Sequence, residues 1–163
     1  MKTKSKYKIR NCQKEDLRKL EWDDELSQFR NLYNSTFTKA QNGEVTMLVA
    51  KIDDFPVGQI WIDLTKKKKE LVGILYALRV MKKYQRRGIG TALIEKAEKI
   101  LKDNNYQIAE ISVDKTNPDA KRLYEKLEYN VVKEKIGKWS YKNPKGKITN
   151  IITPEWQLQK KLK

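Results

Sequence analysis

Histidine is absent from this chain of 163 residues, and Cys12 is its single cysteine. The absence of histidine excludes Ser-His-Asp triads, histidine metal sites and a histidine general base. One cysteine can form neither an internal disulfide framework nor the repeated spacing of a zinc site, so we expect no bound metal. Any proton transfer must therefore use Asp, Glu, Tyr, Lys, Cys12 or water.

Long apolar runs are also missing from the sequence. No stretch approaches the roughly 18 apolar residues of a membrane-spanning helix, and the charged segment Met1–Arg10 lacks the apolar part of a secretion signal. The sequence therefore predicts a cytoplasmic protein with no membrane partner. Its length favours a single domain over residues 1–163 with one substantial core, and leaves a homodimer open.

Negative charge is scarce, with 21 Asp and Glu against 36 Lys and Arg and a formal net charge of +15. Such a balance suits a nucleic acid, an anionic cofactor or a merely cationic surface. Lysine far outnumbers arginine, the residue that reads base edges and forks onto phosphates, so we expect no nucleic-acid partner. The four-lysine run Lys66–Lys69 is likewise predicted to be a solvated loop.

The hydrophobic pattern predicts a mixture of strands and helices. Strands are predicted at Tyr7–Arg10, Val45–Ile52, Val57–Leu64, Leu71–Met81, Gln107–Val113, Tyr129–Ile136 and Trp156–Leu162. Helices are predicted to begin near Gln13, Leu26, Gly88 and Asn117. The strand–helix–strand order around Gly88 makes a βαβ unit with parallel strands. We therefore expect an α/β (α+β) fold, a mixed and mostly antiparallel sheet flanked by helices with a parallel step at its centre.

The turn after the predicted central strand is the main candidate binding site. Basic residues between Lys82 and Arg87 lead into Gly88-Ile89-Gly90, which opens a helix. Unpaired amides and the helix dipole at such a helix start favour a phosphate or pyrophosphate. A P-loop is excluded because no Gly-Lys-Ser/Thr follows, and a dinucleotide fingerprint would have a third glycine where Leu93 stands.

Two motifs resemble those of the GNAT superfamily of N-acetyltransferases. The run Gln85-Arg86-Arg87-Gly88-Ile89-Gly90 is similar to the signature Gln/Arg-x-x-Gly-x-Gly/Ala. The run from Asn117 through Leu123-Tyr124 to Tyr129 is similar to the block Asn-x-x-Ala-x-x-Leu-Tyr-x-x-x-Gly-Phe, with Glu128 where glycine is usual. That change affects the local turn after the helix. The resemblance covers Tyr7–Ile136 and does not identify an acceptor.

The resemblance implies an acyl-CoA N-acyltransferase domain that moves an acetyl group from acetyl-CoA to a primary amine of a small molecule or peptide, by direct attack in a ternary complex. The implied acetyl-CoA contacts are Leu78, Val80, Met81, Gln85, Arg86, Arg87, Gly88, Ile89, Gly90, Thr91, Asn117 and Tyr124. Tyr124 is expected to protonate the departing thiolate, and a backbone N–H at Val80 or Met81 to bind the oxyanion. Asn117 and Tyr124 are seven positions apart, which places both on one helix face. A non-catalytic acyl-CoA-binding module on the same fold is the alternative.

The remaining acidic residues are candidates for amine deprotonation and acceptor binding. With no histidine, either Glu110 or a water chain is predicted to act as the base; for Glu110 the alternative is a salt bridge with Arg79. Arg79 interrupts the apolar central strand, and so either pairs with a carboxylate or faces the ligand cleft. Trp22, Asp23 and Asp24, between the first two helices, are predicted to contact a cationic amine, although acids at such a junction also serve as helix caps.

Overall fold

A computed structural model describes residues 6–163, so residues 1–5 of the predicted domain lie outside the described residues. Within this range the chain forms seven strands and four α-helices. The strands are β1 (Lys8–Asn11), β2 (Val45–Ile52), β3 (Phe55–Lys67), β4 (Val72–Val80), β5 (Ile108–Asp114), β6 (Asn130–Lys142) and β7 (Ile148–Lys161). The helices are α1 (Asp16–Lys19), α2 (Arg30–Gln41), α3 (Ile89–Asp103) and α4 (Pro118–Lys126).

The strands form one sheet in the order β1-β2-β3-β4-β5-β7-β6. Every neighbouring pair is antiparallel except β4 and β5, which are parallel and are connected through α3. This arrangement confirms the predicted mixed sheet with one central parallel step. None of the helices in residues 6–163 combines the length and the apolar composition needed to cross a membrane.

Helix α3 covers one face of the sheet. Its residues Ile89, Leu93, Ala97 and Leu101 follow at intervals of four, and all are at most 2% exposed, so they form a single apolar stripe. The helix lies very close to β4, because a Cβ added at Gly73 would come within 2.2 Å of Leu101 Cδ2. Gly73 therefore permits the close packing of the last turn of α3 against the start of β4.

Helices α1 and α2 cover the opposite face. Leu20 of the α1 end and Tyr33 of α2 pack with Met47, Val49 and Trp61 of the sheet in a second buried cluster. Successive side chains of β2 point to opposite faces of the sheet and contribute to both cores. Leu48 belongs to the cluster under α3, while its neighbours Met47 and Val49 belong to the cluster under α1 and α2. Two separate cores thus hold the sheet rigid from both sides.

The β6–β7 hairpin is longer than the sequence pattern predicts. Pairing continues along the exposed part of both strands as far as Lys142 and Ile148. These outer residues are mostly polar or exposed, so they lack the buried alternation on which a strand prediction depends. At the tip, the Asn143 side chain accepts hydrogen bonds from the backbone N–H groups of Lys145 and Lys147, which stabilise the turn between the two strands.

The lysine run at the β3–β4 connection also differs from its prediction as a wholly solvated loop. Strand β3 continues to Lys67, opposite Val72 of β4. The Lys67 ammonium then lies 2.8 Å from Glu110 Oε1. The prediction is therefore wrong for Lys67, which forms a structural ion pair. None of the ion pairs within residues 6–163 involves Lys66, Lys68 or Lys69.

Candidate active site

Strands β4 and β5 separate toward their carboxyl ends. They pair only from Val72 with Ile108 to Leu75 with Ile111. Just beyond this point Ala77 has a φ of +54°, and the register between β3 and β4 shifts. Such a bulge bends a strand and ends its regular pairing. A gap therefore opens beside residues 76–80 of β4.

The backbone of Val80 faces this gap. Met81 N–H donates to Val57 O of β3 at 2.8 Å, and the alternation of a strand then directs the amide of Val80 to the other side. The Val80 carbonyl on that side accepts a 2.9 Å hydrogen bond from Gln85 Nε2. Of the two backbone donors predicted for an oxyanion, Met81 is thus already engaged and Val80 borders the gap.

A cavity of about 700 Å³ lies between the end of β4, the turn that follows, the start of α3 and the helix α4. Ten of the predicted acetyl-CoA contacts line it: Leu78, Val80, Gln85, Arg86, Gly88, Ile89, Gly90, Thr91, Asn117 and Tyr124. Met81 and Arg87 are not among its lining residues. Met81 packs against both apolar clusters, and the Arg87 guanidinium lies 5.3 Å from the centre of the Tyr84 ring.

The helix start at the cavity wall presents unpaired backbone donors. Ala92 N–H makes a 3.0 Å hydrogen bond to Gly88 O at the beginning of α3, so the N–H groups of Ile89, Gly90 and Thr91 have no acceptor one turn earlier in the helix. Gly88 has a φ of +82°, a left-handed conformation that glycine adopts without steric cost. These amides and the helix dipole can hold a phosphate group.

Helix α4 forms the facing wall. Asn117 is its N-cap, with Oδ1 accepting a 3.2 Å hydrogen bond from Ala120 N, and Pro118 occupies the first turn. Asn117 and Tyr124 both line the cavity, as their spacing predicts. Two cations of this wall, Arg122 and Lys126, were missed by the sequence reasoning. Their spacing of four residues was the available signal, since it places both on one helix face.

Tyr124 is the buried phenol of the cavity, with 6% of the residue exposed. Burial raises its pKa to about 12, because the low-polarity surroundings disfavour the phenolate. The hydroxyl therefore keeps its proton at neutral pH. Tyr124 can donate a proton to a developing anion in the cavity and is unsuited to act as a base.

Glu110 lies away from the cavity lining. The residue is 2% exposed, and its carboxylate accepts hydrogen bonds from Lys67 Nζ at 2.8 Å, Gln159 Nε2 at 2.8 Å and Gln157 Nε2 at 3.2 Å. The predicted alternative of a salt bridge with Arg79 is wrong, because the extension of β3 places Lys67 there instead. Its role as a base stays a prediction.

The predicted acceptor residues lie at the junction before α2. Trp22, Asp23 and Asp24 all have positive φ, between +47° and +70°. Trp22 is 8% exposed, and its Nε1 donates a 3.0 Å hydrogen bond to Pro56 O, so its ring supports the fold. The two aspartates are exposed. Since Pro56 precedes Val57, the partner of Met81, the junction lies near the end of β4, and acceptor binding by these residues stays a prediction.

The sequence of this chain is similar to that of a known protein family. Residues 8–129 match the sequence model of the Acetyltransferase (GNAT) family. An uncharacterized N-acetyltransferase of Archaeoglobus fulgidus is 31% identical over 100 residues, which cover 58% of this chain and 65% of that protein. The match thus spans slightly less than two thirds of the length of this curated relative.

Solved structures share the fold at low sequence identity. An N-acetyltransferase from Staphylococcus aureus Mu50 superposes with a TM-score of 0.76 at 15% identity, covering 98% of this chain and all of that one. Arabidopsis thaliana NAA60 in complex with acetyl-CoA has a TM-score of 0.71 at 18% identity, covering 96% of this chain and 99% of that one.

Among residues 6–163, no group of His, Cys, Asp and Glu is arranged to hold a metal ion.

Proposed function

Because the chain belongs to the acetyltransferase (GNAT) family, we propose that it transfers an acetyl group from acetyl-CoA to a primary amine. The observation that carries this proposal is the composition of one cavity. An anion-binding helix start lies at one end, the open edge of β4 runs along it, and the protonated phenol of Tyr124 lies within it. Acetyl-CoA has a matching sequence of groups, from pyrophosphate through an extended amide arm to a thioester.

The two ends of the cavity would bind the pyrophosphate and orient the pantetheine arm. The amides of Ile89, Gly90 and Thr91 would bind the pyrophosphate, with Arg86 adding positive charge. The guanidinium of Arg122 on the facing wall is paired with Asp119. The backbone edge of β4 from Leu78 to Val80 would pair with the amides of the arm as a further strand does. Asn117 Oδ1 caps α4, which leaves its Nδ2 as the donor toward the arm.

The chemistry requires few protein groups, because bound acetyl-CoA would supply an already activated thioester. Val80 N–H is the donor that we assign to the carbonyl oxygen, since Met81 N–H is held by Val57. Tyr124 would donate its proton to the departing sulfur. For amine deprotonation we favour water over Glu110, whose carboxylate already accepts hydrogen bonds from a lysine and two glutamines.

Replacing Tyr124 by phenylalanine tests this assignment. Loss of the proton donor should lower kcat about 100- to 1000-fold, measured as thiol release from acetyl-CoA with amine acceptors. The dissociation constant for acetyl-CoA, measured by calorimetry, should stay within about threefold, because the ring remains. Tyr84→Phe is the matched control: Tyr84 lines the same cavity but has no assigned role in the reaction. It should retain most activity.

Two outcomes would contradict the proposal in different ways. If Tyr124→Phe keeps the wild-type kcat, Tyr124 is not the acid. If the wild type binds acetyl-CoA in this cavity but acetylates no amine in a broad panel, the domain is a non-catalytic acyl-CoA-binding module. Cys12 adds at most one equivalent of background per chain to the thiol measurement, and burial raises its pKa to about 12, which lowers the fraction of the reactive thiolate.

A further inference from the structure

Arg79 is the only charged residue of β4, and it projects away from the coenzyme cavity. Its neighbours Leu78 and Val80 line that cavity, so the alternation of the strand directs Arg79 to the opposite face. There its guanidinium carbon lies 4.8 Å from the centre of the Phe29 ring. Arg79 therefore belongs to the segment of β4 that borders the gap, and its side chain lies on the face of the sheet that is covered by the cluster containing Phe29.

The ring that contacts this guanidinium belongs to a group of three aromatic residues. Phe29 packs against Tyr141 at 4.7 Å and Trp139 at 6.2 Å between ring centres, and we call these three residues the aromatic cluster. The β6–β7 hairpin is held there by Asn31 Nδ2, which donates to the carbonyl of Lys142 at 3.1 Å. Trp139 is 42% exposed, so the cluster opens to solvent beside Arg79.

Within residues 6–163 no carboxylate lies within ion-pair distance of Arg79. Glu21, an acid packed on the same side of the sheet, is already bound by Arg30 at 2.8 Å and by Arg18 at 3.4 Å. The charge of Arg79 nevertheless acts inside this face: burial raises the pKa of Tyr33, and the positive charge of Arg79 opposes that rise. A half-buried arginine in such surroundings ordinarily has an anionic partner.

We propose that Arg79 binds a carboxylate of the acceptor, so that the amine substrate is an amino carboxylate of the amino-acid type. This inference rests on the proposed function. The contact with the Phe29 ring supplies no hydrogen-bond acceptor atom, so the N–H groups of the guanidinium can make a bidentate bond to a carboxylate.

The same charge suits the chemistry of a chain without histidine. A nearby positive charge disfavours the ammonium form of an amine and favours the neutral form that can attack a thioester. It also opposes the binding of polyamines, which carry no carboxylate. The net charge of +15 would attract acetyl-CoA.

The test compares amino acids with their own carboxamides as acceptors in the thiol-release assay. The wild type should prefer the carboxylate of each pair about 10- to 100-fold in kcat/KM. Arg79→Gln should reduce this ratio to within about threefold while the dissociation constant for acetyl-CoA stays unchanged, and Arg79→Lys should retain an intermediate preference. Lys39→Gln is the matched control, because Lys39 is exposed on α2 and its loss removes the same charge. It should retain the full preference.

A second measurement separates this inference from the proposed function. The binding of N-acetylated amino acids to the protein saturated with coenzyme A is followed by calorimetry. If amines are acetylated but carboxylates and carboxamides react equally, or Arg79→Gln keeps the preference, this inference fails and the proposed function stands. If nothing is acetylated but these ligands bind the wild type and not Arg79→Gln, the proposed function fails, and Arg79 is a carboxylate-binding residue of a protein without acceptor chemistry. If the protein shows no turnover and no Arg79-dependent binding, both the proposed function and this inference are overturned.

Discussion

Replacing Glu110 by glutamine should destabilise the protein and leave its chemistry largely intact. The carboxylate of Glu110 connects Lys67 of β3 with Gln157 and Gln159 of β7 through hydrogen bonds of 2.8–3.2 Å. A glutamine keeps the shape and one acceptor oxygen, but its NH₂ group takes the place of Oε2, which accepts from Lys67 at 3.0 Å, and its neutral charge leaves the Lys67 ammonium without a counter-charge. The network would therefore lose one of its two acceptor atoms and its negative charge at the centre of the sheet.

The size of the effect follows from the burial of the two partners. Breaking a fully buried ion pair costs about 3–5 kcal/mol. Here the Glu110 side chain is 3% exposed but that of Lys67 is 36% exposed, so the ammonium can recover part of its hydration and we expect about 2–3 kcal/mol. For a chain of this length that corresponds to a decrease in Tm of about 4–12 °C.

Thermal unfolding and steady-state kinetics, the latter well below Tm, check this prediction together. Glu110→Gln should lower Tm as stated and keep kcat within about threefold. Glu125→Gln is the control, because its pairing with Lys121 at 3.3 Å is on the surface and should leave Tm nearly unchanged. A 100-fold loss of kcat with an unchanged Tm would refute the structural role and identify Glu110 as the general base.

Further predictions concern the turn, the end of α4 and alkaline pH. Gly88→Ala should weaken acetyl-CoA binding about tenfold by calorimetry, because alanine is strained at a φ of +82°. The control Gly90→Ala should bind acetyl-CoA within about threefold of the wild type, since its Cβ would be 3.9 Å from the nearest side chain. Equal losses of affinity in the two variants would contradict this reasoning. Glu128→Gly should raise the free energy of unfolding by up to about 1 kcal/mol in denaturant titration, because Glu128 has a φ of +75°, and a decrease would be contrary. Burial raises the pKa of both Tyr76 and Tyr124 to about 12, so above pH 10 the unfolded chain loses these protons first and the free energy of unfolding declines progressively up to pH 12. Tyr124→Phe should show a smaller decline. Equal slopes of stability against pH in the two proteins would refute the assignment of the decline to Tyr124.

The parts of the fold that depend on local pattern could be predicted from the sequence. The four-residue spacing from Ile89 to Leu101 and the turn signals around it were sufficient for the βαβ unit, because its core is built from consecutive elements. The outer half of the β6–β7 hairpin could not be predicted. Its strands are exposed and stabilised by each other, so they bury no apolar face whose alternation would signal a strand.

The candidate site divides in the same way. The helix-start amides and the Asn117–Tyr124 face are features of continuous segments, and the structure brings them into one cavity. The contact of Lys67 with Glu110 and that of Arg79 with Phe29 join residues more than 40 positions apart in sequence. Which cation reaches which partner depends on where β3 ends and where α2 begins, and that is determined by tertiary packing.

Mass-spectrometric detection of the acetylated amine tests the central claim most directly. The wild-type protein is incubated with acetyl-CoA and a panel of amino acids, their carboxamides, polyamines and peptides, and both free thiol and N-acetylated product are quantified. We predict equal amounts of the two products, formed with the wild type and reduced about 100- to 1000-fold with Tyr124→Phe. Saturable binding of acetyl-CoA without any acetylated amine would contradict the account.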